Sequence, residues 1–432
     1  MIKPSWLRFL LIDPVKLKGK KYLLAVLGIF LLLVFLAIRV GIKIGPWADS
    51  NVFWNAGKNF FLRNDLYFGI GGAQRYIYPP FAAMLFQLLA IFPLKVAATL
   101  LAFFNLLLIF YIIYLIKSIL EFYFDDKKAI TYSLLFGTIL SFRFFWYHYV
   151  YIQMNEPVLA LCLLGVLLLL KKKETPAIIC FVIATFIKII PIFFIIWLLI
   201  RGNFKTYIKV AIAIVLCFLI PLIWRGFDLG TQDLKHYYQT FIEPFQNGKV
   251  EAYYSNESLS SSIYKIFIPE VDEWHYDFTI IQLPLALVKK INLICVATLF
   301  LSFVSTIIYL RIIKKPISFL EISLILLATH LLSGITWDYH LVSLIFVYTT
   351  FIILRKQLKS PLSKTFFWFI IFLMTINSIA GTDTIGEMPF RYFQGYGILT
   401  WLMLILYFFF LYQCIFKNKY SPNEETNSTP LR

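Results

Sequence analysis

Acidic side chains are scarce in this chain: 23 Asp and Glu stand against 40 Lys and Arg, a formal charge of +17. Nucleic acid is the first partner such an excess suggests. The cations, however, sit in short clusters between apolar runs, where orientation across a membrane explains them better, so no nucleic acid is expected. Cysteine is sparse as well. The five residues Cys162, Cys180, Cys217, Cys295 and Cys414 all fall within apolar runs without C-x-x-C spacing, and read as small core hydrophobes rather than disulfides or metal ligands. No Walker-type loop, H-E-x-x-H or G-x-S-x-G occurs, which removes the usual signatures of nucleotide hydrolysis, zinc hydrolysis and serine esterase chemistry.

What is present is apolar. Of 432 residues 60% are hydrophobic and 19% aromatic, with a mean hydropathy of +0.78. A soluble domain is roughly half apolar, so the fold class is an all-α polytopic membrane protein. The N-terminal stretch to residue 38 has a basic flank and a long apolar run with no small-residue cleavage site, which predicts a retained anchor rather than a cleaved signal.

Lys and Arg near span ends mark the cytoplasmic side. KLKGKK before the first span, DDKK at 125–128, KKK at 171–173, RGNFK at 201–205, RIIKK at 311–315, RKQLK at 355–359 and KNK at 417–419 therefore act as pins and place both termini in the cytoplasm. Between them, segments centred on 43–94, 146–156, 188–191, 225–290, 334–339 and 381–394 reach outside, which gives about twelve spans. Two stretches are too short for the pattern. Pro79 to Pro93 has an interior below the roughly 20 residues a span needs and predicts an interfacial or re-entrant helix; residues 175–200 lie between two basic pins and predict two short helices meeting near IKIIP. The organisation is one domain over 1–432: a first span at 22–42, a first outer loop at 43–94 with interfacial helices, spans over 95–224, a large outer loop at 225–290, spans over 291–415 and a cytoplasmic tail at 416–432.

Polar residues at the outer ends of these runs are the candidates for chemistry. Asp49 precedes Val52, Phe53, Ala56, Phe60 and Phe61, whose helical spacing predicts an amphipathic helix on the outer membrane surface. As a helix N-cap Asp49 would need no further role, although capping and catalysis are compatible. Tyr78, Pro79 and Pro80 start another helix. Gln153 and Asn155, with Glu156 beside them, stand where an outer loop enters a span, suited to a sugar or to the helix end itself. Lys188 lies within an apolar segment and must find a counter-charge, a wet cavity or the interface; snorkelling is the plain alternative. Trp337, Asp338 and His340 crowd one short connection, where His340 could hold a phosphate or orient a carboxylate and where an interfacial belt alone accounts for Trp337 and Tyr339. Asn256, Glu257 and Ser258 add polar groups from the large loop.

The order of these elements resembles glycosyltransferase family 87: an Asp after the first span (Asp49), the Tyr-Pro-Pro helix (Tyr78, Pro79, Pro80), Gln-x-Asn (Gln153, Asn155), the IKIIP turn (Lys188, Pro191), Asn-x-Ser-Leu (Asn256, Ser258, Leu259) and Trp-Asp-x-His (Trp337, Asp338, His340). The likeness runs from about residue 45 to about residue 345. Three positions depart from the family's habit: Ile152 stands where Gly often precedes the Gln, Gly334 where a Pro is common, and Tyr339 where the first of two His is common.

The resemblance implies membrane enzymes of the C-type fold that take sugar from a polyprenyl phosphate, including mycobacterial polyprenol-phosphate-mannose-dependent mannosyltransferases. It implies that Asp49 is the general base for an acceptor hydroxyl. Because a phosphate leaving group is weakly basic, the second carboxyl group that glycoside hydrolysis needs is dispensable, and one attack inverts the anomeric centre. Charge gathering on the phosphate calls for cations or hydrogen-bond donors, for which Lys188 and His340 are the candidates, with Arg75 and Arg391 behind them. Tyr78, Gln153, Asn155, Asn256, Trp337 and Asp338 would bind substrate. The expected reaction moves a hexose, mannose first among them, to a lipid-linked or surface glycan of the cell envelope, at the outer face of a bacterial-type cytoplasmic membrane, with no metal or cofactor beyond the polyprenyl-phosphate sugar. A multispan transporter or flippase of lipid-linked glycans fits hydropathy equally, but polar groups gathered on one face beside a re-entrant first loop favour transfer; a membrane scaffold would have to treat Asp49, Lys188 and His340 as unrelated caps and anchors, against the rule that intramembrane ionisable groups are more often functional.

Overall fold

Apolar runs bounded by Pro, Gly and basic residues become helices, and no strand interrupts them among the described residues. The computed structural model describes residues 20–45, 48–67, 75–269 and 277–417, with side chains from residue 24 onward. Most of the first and last basic pins, both termini and the tail lie outside these residues.

The chain begins with α1 (Lys20–Ile42), followed by the shorter α2 (Asp49–Leu62) and α3 (Pro80–Ala90) and the long α4 (Leu94–Leu120) and α5 (Lys127–Tyr151). Three short helices come next, α6 (Asn155–Leu170), α7 (Glu174–Ile187) and α8 (Ile192–Arg201), then the long α9 (Phe204–Arg225). The large loop holds α10 (Phe227–Tyr237), a π-helical turn at Tyr238–Ile242, α11 (Glu243–Gln246) and α12 (Leu259–Phe267). After α13 (Leu285–Ile312) and α14 (Phe319–Leu331), a 3-10 turn at Asp338–Ser343 leads into α15 (Leu344–Ile353), and α16 (Pro361–Ile379), α17 (Thr382–Ile385), α18 (Glu387–Gly395) and α19 (Ile398–Tyr412) complete the fold.

Among the described residues eight helical segments are long and apolar enough to cross a membrane: α1 from Leu24, α4, α5, α9, α13, Asp338–Gln357 around α15, α16, and Glu387–Lys417 around α18 and α19. Five apolar helices are shorter, namely α3, α6, α7, α8 and α14. The two stretches that broke the sequence pattern are among them. The 11 residues of α3 rise only about 16 Å, half the roughly 30 Å hydrocarbon core. Between α7 and α8 the helix opens at Lys188, whose φ of −151° and ψ of 124° are extended, and Pro191 precedes the restart.

The basic clusters gather on one face of the bundle. Lys356 Nζ lies 2.6 Å from Asp126, Lys209 Nζ 2.5 Å from Glu174, Arg201 donates to the Lys315 carbonyl at 2.8 Å, and Arg311 donates to the Ile200 carbonyl at 2.7 Å. DDKK thus meets RKQLK, and RGNFK meets RIIKK, with the Glu174 flank of KKK held by Lys209 just beyond RGNFK. The opposite face collects α2, the 152–156 turn, the 188–191 break, the large loop and residues 334–340, joined by hydrogen bonds such as Asn105 Nδ2 to the Gln153 carbonyl at 2.8 Å and Asn256 Nδ2 to the Gly334 carbonyl at 3.1 Å.

On that face α2 lies against α3. Val52, Phe53, Ala56, Gly57 and Phe60 are its buried stripe, and a Cβ at Gly57 would sit 2.2 Å from the Phe86 carbonyl oxygen, so only glycine permits this approach. Phe61, expected on the stripe, is 71% exposed; one residue beyond Phe60 the helix has turned about 100°, away from α3. The far end of α2 is clamped by the buried Arg225, which donates to the Asn59, Phe60 and Asn64 carbonyls at 3.0, 3.2 and 2.8 Å and pairs with Asp233 at 2.8 Å. Free carbonyls at a helix C-terminus attract a cation, and here the cation comes from α9.

Candidate active site

The polar face encloses a cavity of about 1160 Å³, larger than the ~300–1,000 Å³ of a small-ligand site. Asp49 and Val52 of α2, Ile77, Tyr78 and Pro79 ahead of α3, the 188–193 break, the π-helical turn region, α13 and residues 332–340 line it. Among the described residues its ionisable lining is Asp49, Arg75, Lys188, Lys249, Lys289 and His340 with the tyrosines, so Asp49 is the one carboxylate among these mostly basic groups. The lining includes Phe193 and, on α13, Val296 and Leu293, the last of them 68% exposed. The cavity thus has both polar lining and exposed apolar lining on α13.

Lys188 forms the floor. Its Nζ donates to Asn155 Oδ1 at 2.8 Å and lies 2.8 Å from His340 Nε2, with the rings of Tyr78 and Tyr339 5.6 and 6.0 Å away. Both hydrogen-bond partners are neutral, whereas the guanidiniums of the buried Arg143 and Arg225 and of the half-buried Arg201 each touch a carboxylate at 2.7 or 2.8 Å. Burial lowers the Lys188 pKa to about 7 against the opposing pull of Asp49. The side chain does not snorkel: it is buried and turned inward, and the break between α7 and α8 is what lets a lysine enter the cavity.

Asp49 faces the same space. It is the first residue of α2, Ala48 being the cap residue, and no side-chain capping bond is made; the capping role open to it in the sequence is therefore absent. Its carboxyl pKa is raised to about 7, chiefly because burial disfavours the charge, with Lys188 pulling the other way. The two groups are electrostatically coupled without a contact ion pair, which leaves room between them.

Asn155 is held for Lys188 by a residue that sequence reasoning missed. His148 Nε2 accepts from the Asn155 and Glu156 backbone N–H groups at 3.0 and 3.2 Å, so the start of α6 is satisfied by His148 and the Asn155 side chain is released. Ile152, just before Gln153, has φ 50° and ψ 64°. A β-branched side chain there costs about 1–3 kcal/mol, a strain that Gly would avoid. The side chain of Gln153 lies against the Tyr339 hydroxyl.

The remaining candidates divide. Tyr78 and Trp337 line the cavity. Asn256 serves as a staple: Nδ2 donates to the Glu251 and Gly334 carbonyls at 2.7 and 3.1 Å, and Oδ1 accepts from the Ser258 and Thr336 N–H groups at 3.1 and 2.9 Å, fixing the large loop beside the Trp337 turn. Asp338 is turned away from the cavity into Arg143, which donates to both its oxygens at 2.7 Å, and receives Gln394 Nε2 at 2.7 Å. Arg75 is exposed at the cavity lining, and Arg391 pairs with Glu387 beside the Tyr254 ring. Arg143, in SFRFFW, carried the same signal as Lys188, a cation inside an apolar run. Breaking a buried pair by removing one partner costs about 3–5 kcal/mol, so Arg143→Met is expected to lower the thermal midpoint of the purified protein far more than Arg391→Met; equal midpoints would contradict the pairing.

The family model described as glycosyltransferase family 87 matches residues 76–333, well over half of the chain. The chain belongs to glycosyltransferase family 87. No curated protein matches it. As a member of this family it is a membrane glycosyltransferase, and membership decides against the transporter and scaffold readings. The matched stretch holds Tyr78, Gln153, Asn155, Lys188 and Asn256; Asp49 precedes it and Trp337, Asp338 and His340 follow it. It is the fold that brings Asp49 and His340 to the Lys188 of the family 87 segment.

Proposed function

We propose that the protein is an inverting hexosyltransferase that moves a sugar, mannose first among the candidates, from a polyprenyl phosphate to a glycan acceptor. The observation that carries this reading is a buried lysine with neutral partners and an uncapped carboxylate across one cavity that has exposed apolar lining on α13. The donor's phosphate would take the place beside Lys188 Nζ and His340, its polyprenyl chain leaving past Val296 and Leu293. Asp49 would accept the acceptor's hydroxyl proton as the oxygen attacks the anomeric carbon and the C–O bond to phosphate breaks. The electron pair leaves with the phosphate, whose charge Lys188 compensates. One attack with one carboxylate inverts the anomeric centre.

The same proposal includes the C-type fold with about twelve spans: the eight long apolar segments together with α6, α7, α8 and α14, with α3 at the interface. The face bearing DDKK, KKK, RGNFK, RIIKK and RKQLK would be cytoplasmic by the positive-inside rule, and the cavity would open outside, at a bacterial-type cytoplasmic membrane. The scheme as proposed uses no metal. Incubating purified protein in nanodiscs with polyprenyl-phosphate mannose, glucose or galactose and an alkyl glycoside acceptor tests the reading. Acceptor-dependent release of polyprenyl phosphate is expected from at least one donor, and release from none, alongside transfer from a nucleotide sugar, would refute it.

A further inference from the structure

Hydrogen bonds at the cavity floor fix where the protons sit. The Trp337 backbone N–H donates to His340 Nδ1 at 3.2 Å, so Nδ1 is the acceptor nitrogen and the neutral imidazole carries its proton on Nε2. The Ile335 carbonyl beside the ring is already taken by the Ser333 hydroxyl at 2.7 Å. His340 Nε2 lies 2.8 Å from Lys188 Nζ. An ammonium has three donors and no acceptor, so a charged Lys188 would set donor against donor. A neutral amine removes the conflict: its lone pair accepts from Nε2–H, and it still donates to Asn155 Oδ1 at 2.8 Å.

Asp49 has the matching need. Lys188 is the one charged group that acts on it, and Asp49 the one that acts on Lys188, without an ion pair between them. Tyr78, Tyr151 and Tyr339 also face Asp49. His330 and His148, with Glu156 on His148 at 3.1 Å, stand behind the Lys188–His340 contact. Burial pushes the Asp49 carboxyl up and the Lys188 ammonium down, and a buried charge without a contact partner neutralises. One proton on Asp49 and a free lone pair on Lys188 satisfy both ends of the cavity.

We propose that the empty site holds Asp49 as a carboxylic acid and Lys188 as an amine, and that the donor's phosphate draws the proton from the first to the second. A sugar phosphodiester brings a negative charge beside Nζ, which favours the ammonium. The O–H bond of Asp49 breaks and an N–H bond forms on Lys188, with no net exchange with solvent. His340 Nε2–H then donates to a phosphate oxygen instead. The general base thus exists only with a donor in place, and an acceptor that arrives first meets an acid unable to take its proton. After transfer the acceptor's proton is on Asp49, the departing polyprenyl phosphate takes the Lys188 proton, and the site is back at its start. The proton shift needs only the phosphate to bind; its use in making a base rests on the transfer reading above.

Infrared difference spectra of the full chain in nanodiscs at neutral pH, recorded on adding polyprenyl-phosphate mannose, glucose or galactose without acceptor, test this, with the thermal midpoint reporting binding. The donor that raises the midpoint is expected to abolish one protonated-carboxyl C=O band, which Asp49→Asn lacks with and without donor. Lys188→Arg keeps its charge and should lack the band before any donor is added; Lys188→Met should keep it at saturating donor. Asp49→Asn alone decides the assignment where a Lys188 variant fails to fold. Donor binding that leaves the band in place, a band lost equally in Asp49→Asn, or a wild type whose midpoint no donor raises overturns the proposal. Loss of the Asp49 band with no polyprenyl phosphate released in the presence of acceptor upholds the proton shift and refutes the transfer reading; release by a protein whose Asp49 is already ionised when empty refutes the proton shift alone.

Discussion

Asp49→Asn is expected to lower kcat by about 10²- to 10⁴-fold, the range a positioned general base contributes, while leaving donor binding and folding intact. The fold should tolerate the change because Asp49 makes no capping bond and no ion pair among the described residues. Asn keeps the shape and cannot accept the proton. Burial raises the Asp49 pKa to about 7, so the base is charged above that point and activity falls as pH drops through it. Full kcat in a well-folded Asp49→Asn protein would remove Asp49 from the mechanism.

Lys188→Met should reduce kcat/KM for the donor by about 10²- to 10³-fold, as loss of a preorganised group that meets developing charge does. Lys188→Arg separates charge from shape. The lysine pKa is lowered to about 7 by burial, so its cation is lost as pH rises through that value and the wild-type profile falls on both sides of neutrality; the two limbs belong to the Asp49–Lys188 pair rather than to either group. Arginine stays charged. A Lys188→Arg protein with residual activity is expected to keep the acid limb and lose the alkaline one, and an alkaline limb that persists would assign it to another group. Met also strips partners from Asn155 and His340, so thermal midpoints accompany both variants.

Hydropathy and basic pins made the bundle, the short α3 and the α7–α8 break at Lys188 legible, because each follows from length and charge along the chain. Asp49, Tyr78, Lys188 and His340 line one cavity, and Asn155 bonds Lys188 at its floor. What the sequence hid are partnerships formed across long separations. Asp338 looks like a ligand in TWDYH, yet Arg143, 195 positions away, takes both its oxygens. Asn256 looks like a sugar donor and is spent on four backbone groups. Phe61 misled because a stripe counted by spacing cannot say where the buried arc ends.

The anomeric configuration of the transferred sugar, read by NMR on product made from a donor of known configuration, tests most directly whether one carboxylate acts in one displacement. A β-linked polyprenyl-phosphate donor is predicted to give an α-linked product. A β-linked product would require two displacements and a nucleophile on the enzyme, and would contradict Asp49 as base.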